Sequence, residues 1–210
     1  MPRQSLPAAS LRVWRFLRVR PGSRIAIEFI VVLGGGLATG GFLQAYNAQI
    51  AVAEGTQIIV AAEVSNETSD RSLLTPMVMA VERELRQQPV TILADAGYYS
   101  SEALDLLEER GYQCLVSPDG QLTRQGVTAP GHNWPKQTWA VRMRERLRSE
   151  EGRRLYRLRQ ILVEPVFGQL KAARGIRSFL LRSLPKVRAE WRMLCQTHNL
   201  LKLYRQQCRA

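Results

Sequence analysis

Along residues 45–118 the apolar and polar positions alternate between two spacings. "AYNAQIAVA" (45–53) and "TQIIVAAEVS" (56–65) are extended, apolar-rich runs separated by Glu54-Gly55, an acidic-glycine pair suited to a tight hairpin. Residues 72–88, "SLLTPMVMAVERELRQQ", switch to helical spacing through Leu73, Leu74, Met77, Val78, Val81 and Leu85. "PVTILA" then predicts a strand, and "SSEALDLLEERG" a helix that Ser100 or Ser101 can cap and Gly111 can end. "YQCLVSP" (112–118) reads as a further short strand, and the turn-rich residues 119–135 as an exposed loop. From 136 onward the pattern is helical, with breaks expected at Pro165, Gly175 and Pro185. Hairpin, helix, strand, helix, strand, loop and helices in that order predict an α/β chain with a mixed sheet.

Composition changes this picture through charge. The formal charge is +12 over 210 residues, which points toward a polyanionic partner. Its distribution says more: residues 136–192 hold 16 Lys/Arg against 5 Asp/Glu, whereas residues 25–135 hold 5 against 13. An acidic middle is thus followed by a strongly basic helical region. Cys114, Cys195 and Cys208 show no CxxC or zinc-type spacing, and His132 and His198 are the only histidines, so a structural zinc site is not expected. Sparse cysteines also suit a reducing cytoplasm.

The first 24 residues carry six Arg and no acid, and precede fifteen uncharged residues at 29–43. That pairing is similar to the basic and apolar parts of a signal peptide. The run is short for a membrane span, contains five glycines and has Glu28 at its edge. A soluble, cytoplasmic, nucleoid-associated protein with no membrane partner is the expectation, and an anchor at residues 12–43 is its rival.

Candidate chemistry rests on two stretches. In "ILADAGYYSSEALDLLEERGY" (92–112), Asp95 stands where a strand ends, and in α/β sheets ligands gather at the carboxyl ends of strands. Turn chemistry alone would also account for an Asp there. "LYRLRQILVEPVFGQLKAARGIR" (155–177) contains Tyr156, Arg159, Glu164 and Lys171, with Glu164 and Lys171 seven apart and so on one face of a continuous helix. Pro165 disfavours helix at Glu164, which predicts that Glu164 lies at a helix start or kink. A solvated basic helix with one incidental Glu is the plain alternative.

Together these stretches resemble bacterial insertion-sequence transposases of the DDE type. "ADAGYYSSEAL" is followed about seventy residues later by "YRLRQILVEPVFGQLK", similar to the Tyr, Arg, Glu, Lys signature of the IS4-like group. "AYNAQIAV" and "SNETSDRSLLTPM" resemble the same family, and the likeness runs over residues 44–204, with 205–210 as a tail. Four residues separate Arg159 from Glu164 where the signature is often written with three. The resemblance implies an RNase H-like mixed sheet flanked by helices, with a basic C-terminal helical region. It implies Asp95 and Glu164 as catalytic, metal-binding carboxylates for two Mg²⁺ ions, or Mn²⁺ in their place, since hard cations prefer carboxylate oxygen. It also implies that Tyr156, Arg159 and Lys171 hold DNA phosphates, that transposon ends and target DNA are the partners, and that a homodimer is the candidate assembly. Asp70, in the family-like stretch after the hairpin, reads as loop or cap structure.

One member of the set is missing. The first Asp of this fold should precede residue 44, yet residues 1–44 contain no Asp, and Glu28 is their only acid. "RPGSR" (20–24) is the nearest echo, with Arg20 and Gly22 where carboxylates would be wanted. Residues 1–43 are therefore expected to be an atypical leader from a truncation or frameshift, and strand cleavage and transfer to be weak or absent. The alternative function is a non-catalytic nucleic-acid-binding remnant. Trp134, Trp139, Cys195 and His198 read as packing residues, and Arg142, Arg144, Arg146 and Arg148 as solvated surface.

Overall fold

The computed structural model of the chain describes residues 24–34, 45–67, 69–89, 91–118, 138–173, 175 and 178–208. The hairpin read from sequence is present as β2 (Ala45–Ala53) and β3 (Ile59–Ser65). Gly55 at its turn has φ +79°, a left-handed conformation that a side chain would strain. The turn is longer than a two-residue hairpin loop and closes through Ala53 N donating to Ile58 O at 2.9 Å.

Both hairpin strands join a sheet whose centre is β1 (Arg24–Gly34). β1 runs antiparallel to β2, with Ile25 opposite Ala53 and Leu33 opposite Ala45. On its other side it is parallel to β4 (Thr91–Ala94), which is parallel in turn to β5 (Gln113–Val116). The order is β3-β2-β1-β4-β5, and the short β6 (Ser178–Phe179) pairs with the far end of β1. This is the RNase H-like mixed sheet expected from the sequence. The sheet reaches into the stretch that the sequence sets apart as a leader, because Ile25 and Ile27 are fully buried in its core. Among the described residues no helix is long and apolar enough to cross a membrane.

Helices cover both faces. α1 (Leu74–Leu85), α2 (Ser101–Glu109) and α3 (Trp139–Arg148) lie on one face, where Leu74, Met77, Val81, Leu104, Leu107 and Met143 pack against Ile25, Ile27 and Ile92. α2 starts at Ser100, whose Oγ accepts from Ala103 N at 3.3 Å, and Gly111 follows its end at φ +84°. α4 (Glu150–Gly168) and α5 (Leu184–Gln207) cover the other face, where Leu162, Val163 and Val166 meet Ile50, Val52 and Leu93. Trp191 of α5 is sealed there, its Nε1 donating to Gln49 O at 3.0 Å and its ring edge-on to Phe179.

Of the two breaks expected from proline, the one at Pro165 is absent and the one at Pro185 is present. α4 runs through Pro165, so Glu164 is within the helix, and Val163 and Val166 on either side hold the segment by burial. Packing of an apolar stripe outweighs the cost of one missing N–H here. Pro185 sits in the first turn of α5, where it lacks no needed donor. Gly175, at φ +65°, does lie between helices. The loop read at 119–135, with Trp134 and His132, lies outside the described residues.

Candidate active site at the carboxyl end of the central strands

All four residues of β4 are buried, and the chain leaves the sheet immediately after Ala94. Asp95 therefore stands just beyond a strand that is parallel to both its neighbours. Its carbonyl accepts from Tyr98 N at 3.0 Å, which starts the single 3₁₀ turn Ala96–Tyr98 and leaves the side chain out of the turn's bonding. Turn formation thus uses the backbone of Asp95, and the carboxylate serves something else.

That carboxylate meets Arg159. The Arg159 Nη2–Asp95 Oδ1 distance is 3.3 Å, with the Arg side chain 10% exposed and the Asp side chain 33% exposed. Arg159 lies on the sheet-facing stripe of α4 with Leu155, Leu162, Val163 and Val166, and its guanidinium also stands 5.4 Å from the centre of the Tyr156 ring. The other two positions of the signature lie elsewhere. Glu164 and Lys171 are exposed, the first on α4 and the second in the π-helical turn Gln169–Ala173 that follows it. Asp95, Arg159 and Tyr156 are thus brought together, and Glu164 and Lys171 stand on the exposed surface of the same helical segment.

The sequence comparison decides what this strand end belongs to, since the transposase DDE domain family matches residues 34–200. The chain belongs to that family. No curated protein matches it. Among solved structures, a chain of the cryoEM structure of a simian T-cell lymphotropic virus intasome in complex with PP2A regulatory subunit B56 gamma is similar at a TM-score of 0.32 and 10% sequence identity. The likeness covers 80% of this chain and 58% of that one.

In this DDE transposase domain the parallel register of β1 and β4 closes at Ile27 opposite Ala94, one residue before Asp95. The echo sought at residues 20–24 falls before this strand, apart from Arg24 itself, which pairs with Glu54 at 2.8 Å.

Asp70 is more than a loop residue. It is 9% exposed, its carbonyl accepts from Leu73 N at 2.9 Å at the entry to α1, and its carboxylate accepts from Asn47 Nδ2. Burial raises the Asp70 carboxyl above its ordinary value, the Asn47 bond opposes that rise, and the nearby Asp95 charge adds to it. Sequence reasoning missed this burial. The only signal was the polar Asn47 and Gln49 on an otherwise apolar central strand, which need polar company inside.

Transposases of the DDE type use divalent metal ions, and the chain's own residues can be tested against that requirement. Among the described residues no three His, Cys, Asp or Glu side chains group so as to hold a metal ion. Asp95 is engaged by Arg159, and Glu164 is exposed on α4. The described arrangement does not fit a two-metal centre.

The surrounding charge is positive. Arg148, Arg153, Arg154 and Arg157 are exposed along the α3–α4 corner. Arg142 and Arg146 reach back to Glu108 on α2 at 3.4 and 3.0 Å, and both lie over the Trp139 ring. Trp139 itself is a packing residue, buried with its Nε1 donating to Asp105. Cys195 and His198 are also buried, and His198 Nε2 lies 3.1 Å from Gln57 O.

Proposed function

We propose that this chain is the DNA-binding core of a DDE transposase, with Asp95 as the acid of its reaction centre and Glu164 as the second carboxylate. The observation that carries the reading is a carboxylate beyond the end of a buried parallel strand, backed by a helix whose outer side is lined with arginines. Arg153, Arg154 and Arg157 of α4, with Lys171 beyond it, neutralise DNA phosphates by charge and so fix the duplex without reading its sequence. Transposon ends and target DNA are the substrates, and a second copy of the chain is the assembly partner.

The reaction of such a core is DNA strand cleavage and transfer. In the described arrangement Asp95 is held by a guanidinium and Glu164 is exposed on α4, so cleavage by this chain alone is expected to be weak or absent. A second reading, a nucleic-acid-binding protein without chemistry, is favoured by the same Asp95–Arg159 pair. Incubating supercoiled DNA with the protein and Mg²⁺ separates the two. Our reading expects slow nicking that Asp95→Asn abolishes. Nicking that survives in Asp95→Asn would remove Asp95 from the reaction, and binding indifferent to Mg²⁺ with no nicking at any protein concentration would leave the binder.

A further inference from the structure

We infer that Arg159 is the internal counter-cation of Asp95, and that a divalent cation can load onto this carboxylate only by competing with that guanidinium. The inference departs from a role for Arg159 as a DNA phosphate ligand and deepens the reading of Asp95 as the acid of the site.

Three observations carry it. First, Arg159 is buried, 8% exposed as a whole residue, whereas Arg153, Arg154 and Arg157 on the same helix are exposed. A phosphate ligand has to meet its ligand at the surface, and those three do. Second, its stripe of α4 is otherwise apolar, and an apolar residue of similar size would pack there at less desolvation cost. A charge retained in such a place needs a partner, and Asp95 at 3.3 Å is one. Third, the pair is lopsided: the guanidinium comes from inside, against the Tyr156 ring, while the Asp95 side chain keeps a third of its surface open. A hydrated cation can therefore approach Asp95 from solution, and it arrives next to a positive charge.

The consequence is a competition. A guanidinium beside a carboxylate repels an arriving cation through the like sign of their charges, and a dication meets that field with twice the charge. Arg159 thus keeps Asp95 from binding cations tightly, and whatever draws Arg159 away strengthens that binding.

Titration with Mn²⁺, followed by loss of the free-ion electron paramagnetic resonance signal, tests this on the full chain without any DNA reaction. Arg159→Gln should bind Mn²⁺ about tenfold tighter than the wild type, the scale of a close charge–charge term at a partly exposed site, Arg159→Lys should stay near the wild type, and Asp95→Asn/Arg159→Gln should lose the gain. Where Arg159→Gln folds poorly, Arg159→Met fills the apolar stripe, keeps Asp95 in place and should show the same gain. Unchanged or weaker Mn²⁺ binding in Arg159→Gln overturns the competition, as does a gain that persists in the double variant. If no variant binds Mn²⁺, the competition falls together with the cation-binding role of Asp95. Mn²⁺ binding that is lost in Asp95→Asn but indifferent to residue 159 overturns the competition alone.

Discussion

At Asp70, burial and a neighbouring negative charge outweigh one hydrogen bond from Asn47, so folding favours the protonated carboxyl. The sign of the pH dependence follows. The stability contributed by protonated Asp70 is complete below the unfolded value of about 3.9 and is lost as pH rises through the raised folded value. Asp70→Asn removes this term, so its melting temperature should gain on the wild type as pH rises. A gain of about 2–4 °C would correspond to roughly one kcal/mol in a domain of this size, and thermal unfolding of both proteins across the carboxylate range checks it. Burial also pushes the Cys114 thiol up to about 12. Thiol reagent at neutral pH should therefore modify Cys208, which is exposed, and reach the buried Cys114 and Cys195 only after unfolding.

Among the elements, α5 does two things beyond filling the core. Trp191 seals the face of the sheet, and Asn199, Arg192 and Arg188 cap its open edge. Asn199 Oδ1 accepts from Ile59 N at 2.9 Å and Asn199 Nδ2 donates to Ile59 O at 2.7 Å, mimicking a neighbouring strand. Uncapped edges invite pairing with other chains. Asn199→Ala should cost about 1–3 kcal/mol, through two backbone groups left without partners, and should raise aggregation on heating. Denaturant unfolding and light scattering measure the two effects. How far the elements were legible follows from locality. β2, β3, α1, α2 and β5 are written in short-range signals such as Glu54-Gly55, the Ser100 cap and Gly111, and those elements formed where the pattern put them. β1 has no such punctuation, because an apolar run beside an arginine-rich stretch becomes a central strand only through pairing with β2 and β4. Pro165 misled for a related reason, since the packing of Val163 and Val166 is a tertiary effect. At the site, Asp95 could be placed from the end of an apolar run. The burial of Arg159 could not, among so many arginines, although its spacing with Leu155, Leu162 and Val166 marks the sheet-facing stripe of a helix.

For the whole molecule, the separation of charge read from sequence becomes a spatial one. Acidic residues of the α1–α2 side, such as Glu108, take up part of the arginine charge of α3, while the arginines of the α3–α4 corner remain exposed. A strongly positive surface beside an acid at a strand end suits a polyanion brought to that acid. Buried Arg159 takes no part in that surface, so the charge exposed on α4 and the charge in contact with Asp95 are carried by different arginines of one helix. The central claim is that this transposase core grips DNA through exposed α4 and positions its acid through the buried arginine of the same helix. The most direct test is duplex DNA affinity as a function of salt. The logarithm of the association constant should fall linearly and steeply with the logarithm of salt for the wild type and equally for Arg159→Lys, and less steeply, by about 0.9 per lost phosphate contact, for Arg153→Gln/Arg154→Gln/Arg157→Gln. A slope that is flat in the wild type, or that drops in Arg159→Lys while the triple variant keeps it, would contradict the account.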